Sequence, residues 1–132
     1  AHRVRFTGHL SEAEKVRLIN SMTVVVNPSA KEGWGLTVIE ANACGIPVVA
    51  SDVPGLRDSV VDGITGVLYE YANIEQMVEK IMLVVRDENF RGRLAGEARA
   101  WAQTFDWDVS ASTMLEVLET AVRDRAKDRR ES

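Results

Sequence analysis

Thr23-Val24-Val25-Val26-Asn27-Pro28-Ser29-Ala30-Lys31-Glu32-Gly33-Trp34-Gly35-Leu36 decides the fold of this chain. Its opening Thr and three valines form a β-branched run stopped by Asn27-Pro28-Ser29, the pattern of a strand buried on both faces of a parallel sheet. Past the loop, Leu36, Ile39 and Ala43 recur at helical spacing from Gly35 to Ala43. Gly45-Ile46-Pro47 then stops the helix, and Val48-Val49-Ala50 starts a second strand. Strand, loop, helix, turn and strand in that order predict a parallel α/β unit.

Reading outward, Arg3 to Thr7 alternates apolar and polar side chains and predicts a strand. Leu10-Ser11-x-x-Glu14 is a capping box in front of a helix that turns Val16, Leu18 and Ile19 inward. Downstream, Asp52-Val53-Pro54-Gly55 is a turn, Leu56 to Val61 a short helix ended by Asp62-Gly63, and Gly66 to Tyr69 a strand. Asn73 caps a helix with the apolar stripe Ile74, Met77, Val78, Ile81 and Val85. A further helix covers Phe90 to Gln103. Asp106 caps the last, whose stripe is Val109, Thr113, Leu115, Leu118 and Val122. The whole predicts a doubly wound, Rossmann-like parallel sheet in one domain, residues 1–132, with 106–132 as a C-terminal helix. A start without Met, inside an apolar alternation (Val4, Phe6), sets the expectation of an N-terminally truncated piece.

With 132 residues, 45% of them apolar and 27% charged, the chain can bury a core. A net charge of -4 provides no basic footprint, so nucleic acid is not an expected partner. No apolar run approaches the roughly 20 residues that span a bilayer, and no signal-peptide layout opens the chain, which predicts a cytoplasmic location. The mixed-sign run Arg123 to Glu131 reads as a solvated helix end, leaving peripheral membrane contact to a longer parent protein. Cys44 is the lone cysteine and reads as a buried, inert thiol. No metal site and no cofactor is expected. Trp101 and Trp107 read as packing residues, and His9 as a capping or surface residue.

In an open parallel sheet, ligands bind beyond the carboxyl ends of the strands, which directs attention to the loop after Val26. Gly33 and Gly35 remove Cβ atoms where the backbone enters the helix, leaving first-turn N–H groups and the helix dipole for an anion. Glu32 precedes those amides. Glu40 lies about five residues into the helix, roughly 7 Å along its axis, with its side chain leaning back toward the crevice. Two carboxylates flanking phosphate-reading amides suit a nucleoside diphosphate sugar, whose hydroxyls lie on both sides of a diphosphate. The plain alternative makes Glu32 a polar loop residue and Glu40 part of a solvated helix face. Trp34 either stacks on a sugar or base or packs against its own helix entrance.

The stretch Pro28-Ser29-x-x-Glu32-Gly33-Trp34-Gly35-Leu36-x-x-x-Glu40-Ala41-x-Ala43-x-Gly45-Ile46-Pro47-Val48-Val49-Ala50 resembles the signature of glycosyltransferase family four. This group 1 family is of the retaining, B-type fold, and the match is to its C-terminal, donor-binding domain. Val4-x-Phe6-x-Gly8, Asp62-Gly63-x-x-Gly66-Val67-Leu68 and, more loosely, Phe105-x-Trp107 extend the resemblance over nearly the whole chain. It implies metal-independent, retaining transfer from a nucleotide-activated sugar. By position, Glu32 resembles the donor-sugar glutamate, with Gly33, Trp34, Gly35 and Leu36 as the segment whose backbone holds sugar and phosphates. Gly35, Leu36 and Thr37 fall beside the diphosphate, and Glu40 matches the ribose-binding glutamate.

The resemblance also implies partners that this chain does not carry: an Arg and a Lys that reach the diphosphate from upstream elements, and an N-terminal acceptor domain. A two-domain enzyme of on the order of 300 residues is expected, so these residues alone should be inactive. A stand-alone nucleotide- or phosphate-binding regulatory module is the alternative, since a helix N-terminus binds phosphate without transfer chemistry. In the family's sheet the strand resembling Arg3 to Thr7 is separated by two others from those at Thr23, Val48 and Gly66. Exposed strand edges would then favour homo-oligomers, unless Arg3 to Thr7 closes directly against Thr23 to Val26.

Overall fold

The structure is a computed structural model that describes residues 3–131, with side chains through residue 125, so the charged side chains read past residue 125 lie outside what it describes. It divides into two units, Ala1–Ala102 and Gln103–Ser132. The first contains α1 (Glu12–Asn20), β1 (Val25–Asn27), α2 (Leu36–Ala43), β2 (Val48–Ser51), α3 (Leu56–Ser59), β3 (Gly66–Tyr69), α4 (Ile74–Arg86) and α5 (Glu88–Ala102). Its three strands run parallel in the order β1-β2-β3, with Val26 opposite Val49 and Val49 opposite Val67.

Alternation along the strands divides the apolar side chains between two layers. On one face Val48 and Ala50 of β2 pack with Ile19 of α1, Val38 and Ala41 of α2, and Leu56 of α3. On the other, Val49 and the β3 residues Val67 and Tyr69 pack with Val84 of α4 and Leu94 of α5. Helices on both faces make the sheet doubly wound, and β2 at its centre is buried throughout. β1 differs from the expected doubly buried strand: as an edge it leaves Val25 and Val26 only half-buried.

Local signals account for most boundaries. In the capping box of α1 the Ser11 backbone N–H donates to Glu14 at 2.9 Å, and the Glu14 N–H donates back to Ser11 Oγ. α2 closes when Gly45 N–H donates to the Asn42 carbonyl and Ile46 N–H to that of Ala41. Asn73 Oδ1 accepts from Gln76 N–H at the start of α4.

Several expectations need correction. Arg3 to Thr7 forms no strand; Phe6 is 95% exposed and Val4 73%, so neither the expected strand nor its closure against Thr23 to Val26 is present. Alternation describes a strand only where a neighbour supplies the other half of the ladder. In α1, Ile19 is buried but Val16 is exposed. In α4 the line packed on the core is buried Val84 with half-buried Met77 and Ile81, while Ile74, Val78 and Val85 face out, because one helix turn carries more apolar residues than its sheet contact can cover. Cys44 is half-buried at the end of α2 rather than enclosed.

The second unit is α6 (Trp107–Glu131), capped by Asp106, whose Oδ1 accepts from the N–H groups of Asp108 and Val109. Val109, Leu115, Leu118 and Val122 are exposed along it, and so is Trp107, which was expected to pack. A lone helix has nothing within its own unit to bury an indole against. Among the described residues no helix is long and apolar enough to cross a membrane.

Candidate functional site

β1 and β2 end side by side, with Asn27 opposite Ala50, so the loops that follow them share one end of the sheet. Asn27 is buried there and organises the first loop: its Oδ1 accepts from Ser29 N–H at 3.2 Å, and its Nδ2 donates to Thr37 Oγ1 at 3.2 Å. The wholly buried Ser51 at the end of β2 donates its hydroxyl to the Ser29 carbonyl. Ser29 in turn donates its hydroxyl to Glu32 Oε1 at 2.7 Å. Two strand-end polar side chains thus bend the loop back over the sheet, and one of its own hydroxyls orients the Glu32 carboxylate.

Two glycines set how closely the neighbouring turns approach. Gly35, the N-cap of α2, has φ +85 and ψ +56, a left-handed conformation; a Cβ there would lie 2.8 Å from Leu56 Cδ2 and 3.0 Å from Ser59 Oγ. Gly55, in the turn after β2, has φ +87, and a Cβ would lie 2.3 Å from the Glu32 carbonyl oxygen. The backbone of Glu32 and Gly33 therefore rests directly on Gly55. Gly33 itself faces open space, with nothing within 4 Å of the Cβ position. Gly35 has no side chain with which to cap α2, and no acidic residue occupies the first turn. Helix geometry leaves the N–H groups of Leu36 and Thr37 without intrahelical acceptors, and both residues are exposed.

Glu40 lies one turn further along α2. Its Oε1 accepts from Lys15 Nζ of α1 at 2.8 Å, and the same ammonium lies 3.0 Å from Glu12 Oε2. Hydrogen bonds from the ammonium to Glu40 and then to Glu12 hold Lys15 above the usual lysine range. Among the described residues Glu40 Oε2 has no partner.

Glu32, Gly33, Trp34, Gly35, Leu36 and Thr37 thus gather at the sheet end, with Thr37 tied to β1, while Glu40 is turned toward α1. Trp34 is half-buried, His9 is exposed, and Trp101 packs by donating its indole N–H to the Ser59 carbonyl at 2.9 Å. The sequence marks Asn27 and Gly55 only as a strand stop and a turn, and it marks neither Ser51 nor Lys15. Like Asn27, Ser51 carried a faint signal, a polar residue ending an apolar run; Lys15 carried none. The arrangement presents amide donors for an anion and two restrained carboxylates for hydroxyl groups. A groove of about 820 Å³ elsewhere, at the α4–α5 corner, sets Glu79, Asp87 and Glu88 against Arg86, the wrong charge balance for a diphosphate. Among the described residues no group of three or more His, Cys, Asp or Glu is placed to hold a metal ion.

Known proteins resemble this chain in sequence and in fold. The family model for glycosyl transferases group 1 matches residues 1–101. A D-inositol 3-phosphate glycosyltransferase from Xylanimonas cellulosilytica is 41% identical over 102 residues, covering 77% of this chain and 24% of that protein. Sucrose-phosphate synthase from Thermosynechococcus elongatus superposes with a TM-score of 0.85 at 30% identity, over 92% of this chain and 31% of that one. Anabaena HepE, solved in complex with UDP-glucose, superposes at 0.82 with 28% identity, over 90% of this chain and 33% of that one. The chain spans about a quarter to a third of the length of these relatives. The sheet is that of the B-type glycosyltransferases. With the family model covering three-quarters of its length, the signature from Pro28 to Ala50 included, the chain belongs to the glycosyl transferases group 1 family.

Proposed function

We propose that residues 1–132 form part of the donor-binding domain of a retaining, metal-independent glycosyltransferase whose acceptor is held by a separate N-terminal domain. The observation that carries this reading is the open first turn of α2, set between two carboxylates that Ser29 and Lys15 restrain. The N–H groups at Gly35, Leu36 and Thr37 take the diphosphate. Glu32, with Gly33, Trp34, Gly35 and Leu36, takes the transferred sugar, and Glu40 accepts from the ribose hydroxyls. In the transfer, the bond from the sugar's anomeric carbon to the diphosphate oxygen breaks and a bond to an acceptor oxygen forms with the same configuration. The nucleoside diphosphate leaves with the electron pair, and its departing oxygen takes up the proton that the acceptor hydroxyl gives up. The open space before Gly33 supports close approach of a sugar to the backbone. The complex of Anabaena HepE with UDP-glucose supports a nucleotide-sugar donor. We place the reaction in the cytoplasm, with no cofactor beyond the donor itself.

Titration of the complete protein with UDP-glucose tests this reading. Glu40→Gln is expected to weaken binding by about 1.5–3 kcal/mol, the scale of a hydrogen bond to a charged group. An unchanged dissociation constant removes Glu40 from the site. The 132-residue chain alone is expected to bind the donor weakly and to transfer nothing; sugar transfer by it in pure form would refute the need for the N-terminal half.

A further inference from the structure

Glu40 is expected to act as an acceptor, yet it stands on a half-exposed helix face where a carboxylate has no reason of its own to keep one orientation. The structure supplies a reason from a distant part of the chain. Lys15 Nζ lies 2.8 Å from Glu40 Oε1 and 3.0 Å from Glu12 Oε2, so one ammonium bridges a carboxylate on its own helix and one on α2. The side chains of Lys15 and Glu40 are 31% and 38% exposed, which leaves the pair open to solvent on one side and packed on the other. α1 itself is held by the capping box at Ser11 and by burial of Ile19, so the lysine springs from an anchored element.

We propose that Lys15 is a positioning residue for donor recognition: it engages Oε1 of Glu40 and thereby presents Oε2 to the hydroxyl pair of the donor's ribose. This rests on the reading of Glu40 as the ribose acceptor. A carboxylate accepts on both oxygens, and a cation on one of them restricts the rotation that would otherwise be lost on binding. Lys15 touches no substrate atom in this arrangement. Its contribution is specific to the hydroxyls that Glu40 receives and does not extend to the diphosphate, which the amides of α2 take.

The test compares UDP with 2′-deoxy-UDP on the complete protein by calorimetry, with thermal unfolding of each variant as a fold control. The parent is expected to favour the ribonucleotide. Lys15→Met is expected to weaken UDP binding about two- to fivefold, as befits a partly exposed ion pair, and 2′-deoxy-UDP binding less, so that ribose discrimination shrinks. Lys15→Arg should recover most of it, and Lys15→Met added to Glu40→Gln should weaken binding no further. Equal losses for both nucleotides, losses that add in the double variant, or unchanged UDP affinity in a folded Lys15→Met protein would each overturn the proposal. Should Lys15→Met fail to fold, Lys15→Gln is the substitute and the same ratio decides. If Glu40→Gln itself leaves UDP binding unchanged, the ribose assignment of Glu40 fails, and this proposal falls with it. If Glu40→Gln weakens binding and the Lys15 variants do not, only the role of Lys15 is lost.

Discussion

Gly55→Ala is the substitution for which the structure yields the sharpest number. Gly55 adopts φ +87 and ψ -47, outside the left-handed helical region, and the new methyl would sit 2.3 Å from the Glu32 carbonyl oxygen and 3.1 Å from the Gly33 carbonyl carbon. The backbone conformation costs about 1–3 kcal/mol for a residue with a Cβ. Forcing the two turns apart adds a cost of the kind seen on overpacking, about 1–3 kcal/mol, because the obstacle is backbone rather than the end of a flexible side chain. Together, about 2–6 kcal/mol is a large share of the 5–15 kcal/mol that holds a typical domain folded. Gly63→Ala is the matched control. Gly63 has φ +73 with nothing within 4 Å of its Cβ position, so only the left-handed penalty of about 1–2 kcal/mol remains. Urea unfolding of both variants, with the m-value checked for constancy, measures the difference. Because the displaced segment carries Glu32 and Gly33, folded Gly55→Ala protein should also bind UDP-glucose more weakly than the Gly63→Ala variant. Equal stability of the two variants would refute the claim that the loop after β1 rests on Gly55.

Ser51→Ala removes the hydroxyl that reaches the Ser29 carbonyl from a wholly buried position, and is expected to destabilise the protein by about 0.5–1.5 kcal/mol, the net contribution of one hydrogen bond whose acceptor is half-buried. Chemical denaturation measures the loss, and a change under about 0.5 kcal/mol, typical of a surface site, would show that the loop is held by other contacts. The edge position of β1 among the described strands, together with the exposed Val4 and Phe6, predicts that the isolated chain self-associates as its concentration rises. Light scattering across a concentration series reads this directly; one monomeric mass throughout would reject it.

Local chemistry carried much of this fold into view from the sequence. The valine-rich runs from Thr23 to Val26 and from Val48 to Ala50 marked β1 and β2, the Asp62-Gly63 turn set off β3, the Ser11–Glu14 box and Asn73 marked helix starts, and Gly45-Ile46-Pro47 marked the end of α2, because caps, turns and strand patterns act among residues a few positions apart. The segment from Glu32 to Thr37 was legible for the same reason: a loop between a strand and a helix lies at the sheet end wherever the remainder folds. The missed or misread features all depend on distant partners. Arg3 to Thr7 has the alternation of a strand without its pairing, and Val84 rather than Val85 faces the sheet because packing sets the rotation of α4. Ser51 meets a carbonyl 22 positions earlier, Gly55 meets the backbone of Glu32, and Lys15 meets a carboxylate 25 positions later. Sequence periodicity encodes which face of an element is apolar; which side chain lies across from which is decided only when the layers close, since packing and charge pairing act through space.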